Sequence, residues 1–402
     1  MSFRKLMATA GVVGMLTLTS QPVMAQGAKQ IHSSNAMREN AIAMKPLPLE
    51  SPRFVYDSGL TFEYPDAVRG IYVTGHSAGG SRLEELMKLV ESTDLNAMVI
   101  DIKDDWGNVT FESDKDSPFA NIGKSYIKNP RAMLEKMEEK QIYPIARIVV
   151  FKDSILPKEK PELSFQDGDK VWVNGRGEAF VNPFLKEVWD YNVNIAIEAA
   201  KLGFKEIQFD YVRFPEGFEN RDEQLKYGMG EYKDMKEDNV QKRVHAVTDF
   251  VAYARQKLKP YGVKVSVDIF GYTATLPEAP GIGQNFSKIS ENVDVISSMI
   301  YPSHWTSYFG IAKPDLEPYK LIREYAKVEN QKLSELKNPP ISRPWLQDFT
   351  ASYLGSGNYR VYGKAEVEAQ IKALYDSGIE EYLLWNAGNT YSSGVDYTPE
   401  NE

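Results

Sequence analysis

Eight short β-prone runs recur along the chain, and a helical run follows each of the first seven. The strand-like runs are VRGIYVTG (68–75), NAMVIDIK (96–103), YPIARIVVF (143–151), EIQFDYVRF (206–214), KVSVDIFG (264–271), DVISSMIYP (294–302), SRPWLQDF (342–349) and EYLLWNAG (381–388). Between them lie segments such as SRLEELMKLVES and NPFLKEVWDYNVNIAIEAAKLG, with apolar residues at helical spacing. Eight such units are the count of an α/β protein of the closed (β/α)8, or TIM-barrel, type. Two long loop insertions are expected, after strands 3 and 4. One is 152–181, where VWVNGRGEAFV suggests a hairpin turning at Asn174-Gly175, and the other is the charged stretch 216–239. Both follow strand C-termini, the end where barrel enzymes hold their sites. Two helix starts are legible: Ser81 with Glu84 as a capping box, and Asn182-Pro183 as an N-cap followed by a first-turn proline.

The barrel is expected over 66–395, with an arm or linker over 26–65, where KPLPLESP carries no periodicity, and a tail over 396–402. The first 25 residues read differently. Arg4 and Lys5 precede an apolar run ending at Leu18, and Val23-Met24-Ala25 places small residues at a cleavage site. That is the pattern of a Sec-type signal peptide, with an apolar core too short to span a bilayer. A periplasmic or secreted protein with no membrane span after cleavage is the expectation. The chain has no cysteine, which excludes disulfides, thiolate metal sites and a lipid-modified leader. Removing a leader with two bases and no acids takes the net charge from −9 to −11. Such a surface is poorly suited to nucleic acid or anionic lipid, and argues for a neutral or cationic substrate.

IYVTGHSAGG contains G-x-S-x-G, the pattern of a serine hydrolase's nucleophile turn. The context opposes that reading. The motif sits on the first strand, no oxyanion loop precedes it, and the last histidine, His304, comes two strands before the end. A tight βα loop with glycines for the turn and serines for capping is expected instead, from which His76 can face the barrel mouth.

Strand alternation points to the chemistry. On the fourth strand Gln208 and Asp210 share one face, and on the fifth Ser266 and Asp268 do, while apolar residues take the opposite faces. The outer face of a barrel packs on helices, so the polar faces point inward and both aspartates converge near the mouth. Two carboxylates held together perturb each other, which separates an acid from a base in glycoside hydrolysis. The competing structural role is a clamp between Asp210 and Arg213, which leaves Asp268 unexplained.

NPFLKEVWDYNVNIAIEAAKLGFKEIQFDYVRFP, VSVDIFGY and SSMIYPSHW together resemble a bacterial family of glycoside-hydrolase domains long filed as a domain of unknown function. The resemblance runs over about 68–389, with FDYVRFP its most specific element. It implies a barrel of the glycosidase superfamily, in which a fourth-strand aspartate often serves as nucleophile, here Asp210. Relatives often carry glutamate as the fifth-strand acid, where this chain has Asp268.

The reading is an exported glycoside hydrolase acting on a poly- or oligosaccharide, with Asp210 as nucleophile or base and Asp268 as acid. Arg213, Tyr301 and His304 are candidate positioners of sugar hydroxyls. Asp101, Asp104 and Asp348 end strands 2 and 7 and are further candidates. Flat aromatic faces suit the C–H surfaces of sugar rings. Trp106 and Trp305 are expected as platforms, and Trp345 and Trp385 as core. Four scattered histidines lack H-x-H or H-E-x-x-H spacing, and no phosphate loop or dinucleotide pattern occurs, so no metal or cofactor is expected. The alternative is a non-catalytic carbohydrate-binding or scaffold barrel, which would keep the aromatic platforms without needing two converging acids.

Overall fold

The computed structural model describes residues 55–113, 117 and 120–399. The expected signal peptide, most of the expected arm and the last residues of the tail lie outside the described residues. The eight strands are β1 (Arg69–Val73), β2 (Ala97–Lys103), β3 (Tyr143–Val149), β4 (Glu206–Asp210), β5 (Lys264–Phe270), β6 (Val295–Met299), β7 (Ile341–Ser342, then Trp345–Gln347) and β8 (Tyr382–Trp385). All neighbours are parallel, β8 pairs with β1, and the Trp345–Met299 pair closes the ring between β7 and β6. β7 is interrupted at Pro344, whose nitrogen has no hydrogen to donate to a ladder. Among the described residues, the main helix after each of the first seven strands is α1 (Arg82–Glu91), α2 (Pro130–Glu139), α3 (Lys186–Leu202), α4 (Asn239–Leu258), α5 (Phe286–Ser290), α6 (Pro318–Ser334) and α7 (Lys364–Tyr375).

β2 and β3 are buried at every position, as parallel strands covered on both faces must be. Alternation then sorts their side chains into two cores. Ile71, Met98, Ile100, Ala146, Ile148, Ile207 and Phe209 pack outward under the helices. Tyr72, Val99, Ile145, Trp345 and Leu383 form a separate cluster inside the barrel. The β2–β3 register shifts between Asp101 and Lys103, and Lys103 then bonds Asn192 of α3 at 3.0 Å and Asp153 at 2.7 Å. A bulge of this kind re-aims a side chain that strict alternation would send inward. At the N-terminal end of the barrel, Arg343 pairs with Glu206 and Glu381 and donates to Tyr64, which ties residues 55–65 to the base of the barrel.

The capping expectations need correction. Ser81 makes no side-chain cap; Thr74 instead accepts from Ser77 N–H and caps a single helical turn, Gly75–Gly79. Asn182 binds Phe184 N–H and Gly228 C=O, and α3 begins only at Lys186. Within 152–181 the chain turns twice. The Asn174–Gly177 turn closes with a Val173–Ala179 bridge, and a two-residue ribbon pairs Gln166–Asp167 with Lys170–Val171.

Candidate active site

β4 and β5 run in register, with Gln208 opposite Ser266 and Phe209 opposite Val267. The next step brings Asp210 and Asp268 level at the C-terminal end, and both line one cleft of about 660 Å³. The fold turns sharply after Asp210. Tyr211 has φ of 51°, a left-handed conformation rare for a bulky residue, and its N–H donates to Asp210 Oδ1 at 2.6 Å. The other carboxylate oxygen, Oδ2, accepts from Arg147 Nε at 3.0 Å and Nη2 at 2.6 Å. Asp210 therefore stands as an ion-paired carboxylate.

Asp268 has a different environment. It is 1% exposed, and its Oδ1 accepts from Trp345 Nε1 at 2.8 Å. Burial, and then the charge of Asp210, hold its carboxyl well above the usual range, against the opposing pull of the Trp345 hydrogen bond and Arg147. Asp268 is thus an acid whose surroundings favour its protonated form, beside a carboxyl held by a guanidinium. Tyr301, buried on the same cleft, keeps its phenol proton because burial and both aspartates disfavour a phenolate.

Arg147 organises this mouth. Nη1 reaches Asp101 Oδ1 at 2.7 Å, and Nη2 also reaches Asp105 at 2.9 Å. Its guanidinium lies 5.5 Å from the Tyr72 ring centre and 5.3 Å from that of Trp385, two rings stacked at 4.0 Å. Tyr72 in turn donates to Asp101 Oδ2 at 2.5 Å. Burial pushes Asp101 up to about 6, against the pull of Arg147 and Tyr72.

Arg213, Tyr301, His304 and Trp305 line the cleft together with the two aspartates, as do Trp345 and Trp385, which sequence reasoning had assigned to the core. Five candidates stand elsewhere, Asp104 among them. Asp101 is buried beneath the cleft, where it braces Arg147. Asp348 accepts from Ser392 N–H and Oγ, at 2.9 and 2.6 Å, and ties down the chain after β8. Trp106 is 57% exposed on a loop whose N–H groups bind Asp104 Oδ1, outside the cleft lining. His76 stacks on Tyr126 at 3.9 Å and does not reach the cleft. Arg147 was missed. Its signal was present in YPIARIVVF, since an arginine within a buried strand must have partners waiting.

Among the described residues no group of histidines and carboxylates could hold a metal ion, and no helix is long and apolar enough to cross a membrane.

A closed barrel with a guanidinium-paired carboxyl and a buried one on the same cleft at its C-terminal mouth, walled by aromatic rings, has the equipment of a glycoside hydrolase. The sequence comparison agrees: residues 70–391 match the family described as "Putative glycosyl hydrolase domain", and the chain belongs to it. A hypothetical protein from Ruminiclostridium thermocellum is 32% identical over 49% of this chain and 96% of its own, with a TM-score of 0.42. The PgaB (BpsB) glycoside hydrolase domain from Bordetella bronchiseptica is 13% identical over 80% of this chain and 94% of its own, with a TM-score of 0.56, a likeness of fold. No curated protein matches the chain.

Proposed function

We propose that this chain is an exported glycoside hydrolase that cleaves a poly- or oligosaccharide with Asp210 and Asp268 as its two working carboxyls. The observation that carries the assignment is their opposite settings. Asp210 is held by a guanidinium, and Asp268 is buried beside it, where burial and the charge of Asp210 favour its protonated form. In this reading Asp268 gives its proton to the leaving glycosidic oxygen as the bond to the anomeric carbon breaks. Asp210 either attacks that carbon or removes a proton from the water that does. In a retaining reaction the deprotonated Asp268 then takes a proton from the water that releases the sugar.

Arg213, Tyr301 and His304 would contact sugar hydroxyls, and the Trp305 ring would carry an apolar sugar face. Export rests on the basic and apolar pattern of residues 1–25. The test is Asp210→Asn, expected to abolish turnover while leaving the circular dichroism spectrum and thermal midpoint near wild type. Retained turnover in that variant would remove Asp210 from the mechanism.

A further inference from the structure

A side pocket of about 210 Å³ adjoins the main cleft, lined by residues 174–180 of the loop after β3 and by residues 211–216 just after β4. Arg176, Tyr211, Arg213 and Glu216 line both spaces. Arg213 is 4% exposed, its guanidinium 4.6 Å from the ring centres of both Tyr211 and Phe270. A guanidinium has five N–H donors. Among the described residues, Arg213 spends one on the Phe214 carbonyl and one on Glu216 Oε1, each at 3.2 Å.

That pairing is incomplete. Taking a guanidinium out of water is costly unless charge and hydrogen bonds replace the solvent, and strong Arg–carboxylate pairs are short and two-pronged. Arg147 meets that standard, with three carboxylates around it. Arg213 has one long, single-pronged contact to a side chain that is 58% exposed. Arg176 faces the same space and is also loosely held. Its nearest carboxylate, Glu178 at 3.6 Å, is already engaged by Lys152 at 2.8 Å and Asn174 at 2.7 Å.

We propose, resting on the glycosidase reading above, that this side pocket is a subsite for an acidic sugar, whose carboxylate takes the Arg213 fork in place of Glu216 while Arg176, on the same lining, helps to neutralise it. Tyr211 adjoins Asp210 in sequence and lines both spaces, so the acidic residue sits next to the bond that is cut. This departs from the neutral or cationic polymer that the whole-chain charge suggests. Surface charge is screened over about 8 Å at physiological salt, whereas two arginines in a small pocket act at contact.

The test uses the full chain carrying Asp210→Asn, so that ligands bind without being cut. It is titrated calorimetrically with glucuronate-, galacturonate- and muramate-containing oligosaccharides, and with the same oligosaccharides after carboxyl reduction. The acidic forms are expected to bind about tenfold tighter or better, the scale of a charge-assisted two-pronged pair. Adding Arg213→Gln should erase that preference. So should Arg176→Ala, an exposed position that spares the fold if the Arg213 variant does not refold. Equal or tighter binding of the reduced forms, or an acidic preference that survives both arginine changes, overturns the proposal. Binding of reduced oligosaccharides alone removes the acidic subsite and leaves the glycosidase reading intact. Binding of neither form, with no polymer cleaved by the unsubstituted chain, removes both.

Discussion

Arg147 Nη2 stands 2.6 Å from Asp210 Oδ2, and Nη1 of the same guanidinium stands 2.7 Å from Asp101 Oδ1. One buried cation therefore fixes a carboxylate in the cleft by holding a second one beneath it. Removing it strands both. Arg147→Met is expected to lower stability by about 3–5 kcal/mol, the usual cost of breaking a buried pair by deleting one partner, read from urea unfolding. Arg147→Lys keeps the charge but not the fork, and should recover stability better than turnover. A wild-type unfolding midpoint in Arg147→Met would show that Asp101 and Asp210 find other partners.

Asp101 titrates near 6 in the fold, against an ordinary value of 3.8. Its folded state therefore holds a proton that the unfolded chain has released between those two values. The associated stability is fully present below pH 3.8 and is lost as pH rises through 6. A displacement of that size corresponds to about 3 kcal/mol. Relative to Asp101→Asn, which mimics the protonated form, the wild type should lose roughly that much stability between about pH 4 and pH 6. Unfolding both proteins across that range measures it directly. A wild type that gains on the variant as pH rises would mean that the Arg147 ion pair outweighs the burial of Asp101.

The barrel was legible because its signal is repeated eight times, so that no single run had to be read correctly. The inward aspartates followed from period-two alternation, which needs only the strand and its parity. The network around them was harder to see. Arg147 and Asp101 lie on neighbouring strands but 46 positions apart, a pairing that exists only once β2 and β3 are in register. Trp345 reads as core because it lies inside a strand, and it is 1% exposed, yet its indole N–H reaches Asp268 across the barrel interior from β7 to β5. Strand-end and loop candidates were hard to place for a related reason. Whether Asp348 faces the cleft or grips Ser392 depends on how the chain returns after β8, which strand periodicity does not encode.

The G-x-S-x-G segment offers a contrast between its serine and its glycine. Ser77 lies on a single helical turn, where its N–H is capped by Thr74, and it is not part of the cleft lining. Gly79 lies against another loop, and a Cβ there would sit 1.6 Å from the Tyr126 carbonyl oxygen. Ser77→Ala should leave turnover within about twofold, as surface changes away from special features do. Gly79→Ala should destabilise by about 2 kcal/mol or more, because backbone and not a flexible side chain must move. Thermal melts and rates on both variants separate the roles. Loss of turnover in Ser77→Ala, with its melt unchanged, would reopen the serine-nucleophile reading.

The bond from Trp345 Nε1 to Asp268 Oδ1 opposes the burial that keeps Asp268 protonated. A donor to a carboxylate favours its charged form, so deleting the donor must strengthen the hold on the proton. Trp345→Phe is therefore expected to move the alkaline limb of the pH–activity profile upward. The shift should be about 0.7 of a pH unit, since a hydrogen bond is worth about 1 kcal/mol net and a tenfold change in ionisation about 1.4. The maximal rate should fall for a separate reason, because Trp345 also walls the cleft, but lost packing does not displace the limb. Asp268→Asn, with no proton to lose, should abolish the limb altogether along with most of the rate. The profile is measured on whichever polymer the wild type cleaves. If Trp345→Phe moves the limb downward, or leaves it in place, the proton that reaches the leaving oxygen does not come from Asp268. Glu216, the half-exposed carboxyl at the junction of cleft and side pocket, is then the next group to substitute.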